Sequence, residues 1–233
     1  MKVFTPLVII LIIYSILFGF IKKNTLYDDE HGHYEQIRLF LNNKPVIYKH
    51  LSLIPGYHFT IAAVATLLGT RQIPQLRTIS FTINLLTIVS FYLISRKLDK
   101  SGSLTKVLQF SFFPILFPFQ FLLYAEGLML LLTLLSFYFA HTKKYTLSAF
   151  FGLLSVLVRQ QNIVWLLFIN LICLTDDLKL RINPANMLRK FWLFIVSYIL
   201  FIAYVFLNGG IAYGTSDIHP NFSIYSGNFP KFS

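Results

Sequence analysis

Long runs of residues without a charged side chain restrict the fold of this chain more than any other feature. The first run, residues 4–21, contains no acidic or basic residue and is just long enough to span a bilayer as a helix. No small-residue cleavage site follows it, which favours an uncleaved anchor over a signal peptide. Further apolar runs occupy residues 54–70, 78–95, 107–123, 126–140, 145–158, 162–174 and 191–207. With 56% hydrophobic and only 12% charged residues, the chain is predicted to be an all-α, polytopic membrane protein.

The distribution of basic residues predicts the orientation of these runs. The chain has 20 Lys and Arg against 9 acidic residues, but the bases cluster in short loops between apolar runs, which argues against nucleic-acid binding. Counted from residue 96 onward, basic loops and polar motifs alternate between two sides, and the positive-inside rule makes the basic side cytoplasmic. Upstream of residue 96, the number of predicted membrane crossings differs by one from what this orientation requires. Either residues 54–70 do not cross the membrane or a later helix does not. A single cysteine, Cys173, excludes an internal disulfide.

Residues 27–44 hold four of the nine acidic residues and two of the six histidines, directly behind the first apolar run. Within this stretch, residues 29–41 have the periodicity of a short amphipathic helix that lies on the membrane surface, with Asp28 or Asp29 as its N-cap. Adjacent carboxylates repel each other, so one of them gains a raised pKa and becomes a candidate general base. A solvated helix start that suits the helix dipole is the alternative.

A metal site is not predicted in this loop. His31 and His33 are two residues apart and would point to opposite faces of a helix, which defeats the simplest bidentate arrangement.

Two further polar groups interrupt apolar sequence. The motif Arg159-Gln160-Gln161-Asn162 places an arginine where burial is expensive, and phosphate is its natural partner because the guanidinium binds it bidentately. An interfacial turn with a snorkelling arginine is the alternative. Glu126 stands alone in apolar sequence, where it could orient a sugar hydroxyl, pair with an arginine from another turn, or lie in a surface turn.

Several motifs in this order resemble one known family. They are Tyr27-x-Asp29-Glu30, His33 and Gln36, Pro55-Gly56-Tyr57, Arg159-Gln160-x-Asn162-Ile163-x-Trp165, and Asn208-Gly209-Gly210 with Gly214. The chain resembles the alpha-1,2-glucosyltransferase family of the endoplasmic reticulum, membrane enzymes of the GT-C class that add the terminal glucose to the dolichol-linked oligosaccharide. The resemblance covers the N-terminal half of such an enzyme. It implies one membrane domain over residues 1–233 as part of a longer enzyme, and a GT-C-like bundle whose amphipathic helix lies in the first lumenal loop.

The resemblance also implies substrates and residue roles. The donor would be dolichyl phosphate glucose and the acceptor a lipid-linked oligosaccharide, at the lumenal face of a multi-pass protein of the endoplasmic reticulum surrounded by membrane lipids. Asp29 and Glu30 would be catalytic, in an inverting transfer of glucose that forms an alpha-1,2 bond in protein N-glycosylation. Residues expected to bind substrate are Tyr27, His33, Gln36, Glu126, Arg159, Gln160 and Asn162. No metal ligand or cofactor is assigned, and a need for a divalent metal is left open.

The sequence departs from the family pattern at a few positions and leaves other functions open. Asp28 and Gly32 replace larger apolar residues near the acidic motif, and Gln161 stands where the family has threonine. A bacterial relative acting on a polyprenyl phosphate sugar is one alternative. A non-catalytic subunit that binds lipid-linked glycans is another. A membrane transporter is a third, although the chain lacks the paired halves typical of transporters.

Overall fold

The computed structural model describes residues 5–48, 51–99, 102–178 and 184–212. Gly214 of the last motif lies outside these ranges. All regular structure in the described residues is helical, as the sequence predicts. The α-helices are α1 (Thr5–Ile21), α2 (Glu30–Leu41), α3 (Gly56–Leu67), α4 (Ile73–Leu98), α5 (Ser103–Ser111), α6 (Glu126–His141), α7 (Tyr145–Val158), α8 (Ile163–Leu178) and α9 (Pro184–Asn208). Two 3₁₀ turns occupy Pro118–Phe121 and Gln160–Asn162.

The apolar run 107–123 does not form one helix. Helix α5 ends at Ser111, and the first 3₁₀ turn begins at Pro118. Pro114 lies in the interruption and Pro118 begins the 3₁₀ turn; each ring removes a backbone donor and prevents a continuous helix. The run is therefore completely broken, and an irregular segment lies before the start of α6.

Contacts show which helix ends lie together. Arg77, near the start of α4, donates a hydrogen bond to the carbonyl of Ile21, the last residue of α1 (3.3 Å). Glu126, the first residue of α6, forms an ion pair with Arg159, which directly follows α7. We call this end of the bundle the Ile21 end.

Helix α3 begins and ends at the Ile21 end. Gly56 packs so closely on the C-terminal turn of α7 that a Cβ there would lie 2.3 Å from the carbonyl oxygen of Leu157. Only a short turn then separates Leu67 from Ile73 at the start of α4. With 12 residues, α3 is about 18 Å long and lies across this end without traversing the bundle. This geometry accounts for the mismatch in the count of crossings, because residues 54–70 do not pass from one end to the other.

A cluster of buried residues fixes α2 and α3 on the bundle. Ile37 and Leu41 of α2 pack with Tyr57 and Ile61 of α3 and with Leu123 before α6. The periodic apolar face of α2 thus packs on α3, which covers the starts of α4 and α6.

Two helical segments of the described chain, Ile73–Leu98 and Leu188–Asn208, are long and apolar enough to cross a membrane by length and composition. The outer surfaces of several helices are also apolar. Ile16 on α1, Trp165 on α8 and Phe206 on α9 are all more than half exposed. Such a surface is unusual for a protein surrounded by water.

Candidate functional site

The acidic loop is held in place by a fully buried ion pair between Glu30 and Arg77. Both side chains have no exposed surface, and their closest atoms, Oε2 and Nη2, are 2.6 Å apart. The Oε1 atom of Glu30 also accepts from Arg77 Nε (2.7 Å) and from the backbone N–H of Leu123 (3.0 Å). Its Oε2 atom accepts from the backbone N–H of Tyr27 (3.1 Å). Both carboxylate oxygens of Glu30 are therefore occupied by protein donors.

Arg77 completes this network and was not identified from the sequence. It donates to the backbone carbonyls of Ile21, Lys22, Asn24 and Thr25 as well as to Glu30. These carbonyls include groups at the end of α1 that no helical N–H can satisfy. The available signal was an arginine at the border of an apolar run, a position that usually implies a buried anionic partner.

Asp29 differs from Glu30 in that its carboxylate is exposed. It occupies the N-cap position of α2, as predicted, but its side chain makes no capping hydrogen bond. Asp28, just before it, has a φ of 33°, a left-handed conformation that turns the chain into the helix. Tyr27 is also exposed. The carboxylate of Asp29 is thus available to a ligand.

His33 lies one turn further along α2 and is buried. Its Nδ1 atom is 2.8 Å from Nε2 of His58 on α3, and the two rings are stacked. Burial lowers the pKa of His33 to about 4, although the nearby Glu126 carboxylate opposes the shift. His33 is therefore a neutral imidazole at physiological pH. Its interaction with Glu126 places the latter close to the acidic loop.

Gln36 hydrogen-bonds to the backbone of the segment that follows α2. Its amide donates to the carbonyl of Val46 (3.1 Å) and accepts from the N–H of Tyr48 (2.6 Å). It therefore fastens the segment after α2 onto that helix, and both ends of its amide group have protein partners.

Arg159, directly after α7, and Glu126, the first residue of α6, form a partly exposed ion pair, with 29% and 19% of their side chains exposed. This is the pairing with an arginine from another turn that the sequence suggested for Glu126. Arg159 Nε also donates to Gln161 Oε1 (3.0 Å). Within the described residues, the Oε2 atom of Glu126 is buried without a hydrogen-bond partner. An acceptor atom and a guanidinium are thus left for a ligand at this point.

Gln160 and Asn162 connect the Arg159 turn to its surroundings. Gln160 donates to the carbonyl of Ser52 (2.7 Å) and accepts from the N–H of Ile54 (3.3 Å). Asn162 donates to the hydroxyl of Thr133 on α6 (2.9 Å). Both amides are buried, so in this structure they position the Arg159 turn.

A cavity of about 770 Å³ opens next to the ion pair. Its walls are mainly aromatic and aliphatic, and its polar lining residues include Glu126 and Arg159. A second cavity of about 300 Å³ borders it and shares four wall residues with it. The shared residues are Phe91, Phe110, Met129 and Leu130. We call the two adjoining cavities the channel and the part beside Glu126 and Arg159 its head; Lys106 and Gln109 are further polar residues of its mainly apolar wall.

Tyr124 links the channel head to the acidic loop. Burial raises its pKa to about 12, with further contributions from the carboxylates of Asp29, Glu30, Asp28 and Glu126. Carboxylates of both segments thus lie close enough to the phenol of Tyr124 to act on it. No group of three or more His, Cys, Asp or Glu residues that could hold a metal ion occurs in the parts of the chain described above.

Comparisons with known proteins agree with the motifs. A Candida albicans protein named Dol-P-Glc:Glc(2)Man(9)GlcNAc(2)-PP-Dol alpha-1,2-glucosyltransferase is 33% identical over 120 residues, which cover 46% of this chain and 27% of the relative. The match thus spans about a quarter of the relative's length. No solved structure matches the chain, so the GT-C-like arrangement stays a prediction. The model of the DIE2/ALG10 family matches residues 23–186, well over half of the sequence. The chain belongs to the DIE2/ALG10 family.

Proposed function

We propose that this chain contributes the reaction centre of a membrane glucosyltransferase that builds the lipid-linked oligosaccharide of protein N-glycosylation. The donor is dolichyl phosphate glucose, and the acceptor is the terminal glucose of the lipid-linked glycan. The observation that carries this proposal is the mainly apolar channel with Glu126 and Arg159 in its wall, beside a tyrosine, Tyr124, on which the carboxylates of both Glu126 and the exposed acid Asp29 act.

The channel suits an isoprenoid lipid. Its walls are formed by side chains such as Phe91, Phe113, Ile115 and Leu116, which offer an apolar chain an environment like the bilayer interior. A polyprenyl phosphate has a long apolar tail and one anionic head. It would lie with the tail between these walls and the phosphate at the charged end.

Arg159 would bind the phosphate. Its Nη1 atom faces Glu126 and its Nε faces Gln161, which leaves Nη2 as the donor without a partner among the described residues. A guanidinium binds phosphate more strongly than it binds a neutral acceptor because the hydrogen bond is charge-assisted. The free Oε2 atom of Glu126 would accept a hydrogen bond from a sugar hydroxyl.

Asp29 would act as the general base. Its carboxylate takes the proton of the acceptor 2-hydroxyl while that oxygen forms a bond to the anomeric carbon of the donor glucose. The bond from that carbon to the phosphate oxygen breaks, dolichyl phosphate leaves, and the configuration inverts from beta to alpha. Unlike a glycoside hydrolase with two flanking carboxylates, this transfer needs one base because phosphate is a good leaving group. Glu30, with both oxygens occupied, would position Asp29.

The Ile21 end would face the lumen of the endoplasmic reticulum. The basic loops 96–106 and 141–144 follow the ends of α4 and α6 that lie away from it. The positive-inside rule then places those loops in the cytoplasm. Helices α2 and α3 would lie along the lumenal membrane surface.

The test compares Asp29→Asn with Asp28→Asn, the same change at the neighbouring acid. Purified proteins receive radiolabelled dolichyl phosphate glucose and a diglucosylated lipid-linked oligosaccharide. We expect Asp29→Asn to lower kcat by roughly a hundredfold or more, the usual contribution of a general base, and Asp28→Asn to have a much smaller effect. An Asp29→Asn protein that transfers glucose at the normal rate would exclude this base. Saturable uptake of substrate into vesicles without transfer would support a transporter instead.

A further inference from the structure

Tyr124 occupies the space between the two halves of the candidate site. It lies in the segment that joins the first 3₁₀ turn to α6. Its ring centroid is 5.0 Å from that of His33 in the acidic loop and 4.7 Å from that of Phe119, which lines the large cavity. The tyrosine ring therefore contacts both the cavity wall, at Phe119, and α2, at His33.

The hydroxyl of Tyr124 is suited to donate a hydrogen bond to a ligand. Its pKa is raised to about 12, first by burial and then by Asp29, Glu30, Asp28 and Glu126, so the phenol keeps its proton at any physiological pH. It makes no hydrogen bond to a described residue. A half-buried hydroxyl that pairs with no described residue and lies near several carboxylates is a ready donor for a polar ligand.

The transfer reaction fixes where the sugar must lie. If the donor phosphate binds Arg159 and the base is Asp29, the transferred glucose occupies the space between these two side chains. Tyr124 lies near that space, because its ring contacts His33 of the acidic loop and Phe119 of the cavity wall, and the carboxylates of Asp29 and of Glu126, the partner of Arg159, both act on its phenol. We infer that Tyr124 forms the wall of the subsite for the transferred sugar, with its ring against the pyranose and its hydroxyl donating to a sugar oxygen. This inference rests on the proposed function and adds a contact to the sugar itself.

The test measures binding of two lipids that differ only in the sugar. Dolichyl phosphate glucose and dolichyl phosphate are titrated into the purified protein in detergent, using the wild type, Tyr124→Phe, Tyr124→Leu and the control Tyr34→Phe. Tyr34 is a half-buried tyrosine on α2 that packs against the hydrophobic cluster. We expect Tyr124→Phe to weaken binding of the glucosylated lipid roughly two- to tenfold, the value of one hydrogen bond, and to leave the Kd for dolichyl phosphate unchanged. Tyr124→Leu, which also removes the ring, should weaken it further.

Each contrary result has a separate meaning. An equal loss for both lipids would make Tyr124 a structural residue, and no loss for either would remove it from the site. Both results overturn the inference, and Tyr124→Phe alone decides it if the leucine variant fails to fold. If the wild type transfers glucose and prefers the glucosylated lipid, but Tyr124→Phe keeps that preference, only the inference fails. If the wild type neither transfers glucose nor distinguishes the two lipids, the proposed function fails with it.

Discussion

Replacing Glu30 with glutamine should destabilise the protein far more than the same change on the surface of the same helix. In the variant, an amide NH₂ replaces one carboxylate oxygen and meets the N–H groups of Arg77, Leu123 or Tyr27, which are all donors. The guanidinium of Arg77 then stays fully buried without a counter-charge. Breaking a buried pair in this way costs about 3–5 kcal/mol of the free energy of unfolding.

The assay is thermal unfolding followed by intrinsic fluorescence in detergent, with Glu35→Gln as the matched control. Glu35 pairs with Arg38 on α2, but those side chains are 31% and 57% exposed, so the loss there should stay below about 1 kcal/mol. For a chain of this size, 1 kcal/mol corresponds to roughly 2–4 °C, which predicts a fall in Tm of about 6–20 °C for Glu30→Gln. Equal Tm values for Glu30→Gln and Glu35→Gln would refute the reasoning. The double variant Glu30→Leu/Arg77→Met should recover part of the loss, because neither charge is then left alone.

Three further predictions follow from the packing and the charges. Gly56→Ala should lower Tm because its Cβ would meet the Leu157 carbonyl, at a cost of about 1–3 kcal/mol, whereas Gly19→Ala, whose Cβ meets nothing within 4 Å, should not. Burial lowers the pKa of folded His33 to about 4. As the pH falls, the unfolded chain therefore protonates this histidine before the folded chain does. The stability that this histidine contributes should be complete above pH about 6.5 and fall as the pH drops towards 4, and His33→Gln should flatten that part of a Tm-versus-pH curve. Arg159→Lys keeps the charge but loses the planar guanidinium that can bind phosphate through two hydrogen bonds. It should raise the Kd for dolichyl phosphate roughly tenfold in the same titration.

The helices were largely predictable because apolar periodicity and helix breakers are local properties. The run 145–158 coincides with α7, and the amphipathic pattern of residues 29–41 coincides with α2 within one residue. The path of residues 54–70 was not predictable, because their composition suits a spanning helix. The close contact between Gly56 and Leu157, which keeps α3 at one end, joins residues about a hundred positions apart.

The structure distinguishes the contacts of candidate site residues that the sequence treats alike. The sequence treats Asp29 and Glu30 alike as neighbouring acids, whereas the fold exposes one and buries the other against Arg77. Gln36 and Gln160 are polar in an apolar chain and therefore suggest ligand contacts. Their amides instead satisfy backbone groups of irregular segments, which cannot remain unpaired when buried.

The network around Glu30 also sets an order on the biogenesis of the protein. Its partners are Tyr27, three residues before it, Arg77, 47 residues after it, and Leu123, 93 residues after it. A nascent chain is made at about 5–20 residues per second, so the acidic loop emerges seconds before the groups that hold it. A ribosome stalled before codon 123 would therefore leave Asp29 exposed on an unfinished scaffold. The network around Glu30 is complete only once the third of these partners, Leu123, has been synthesised.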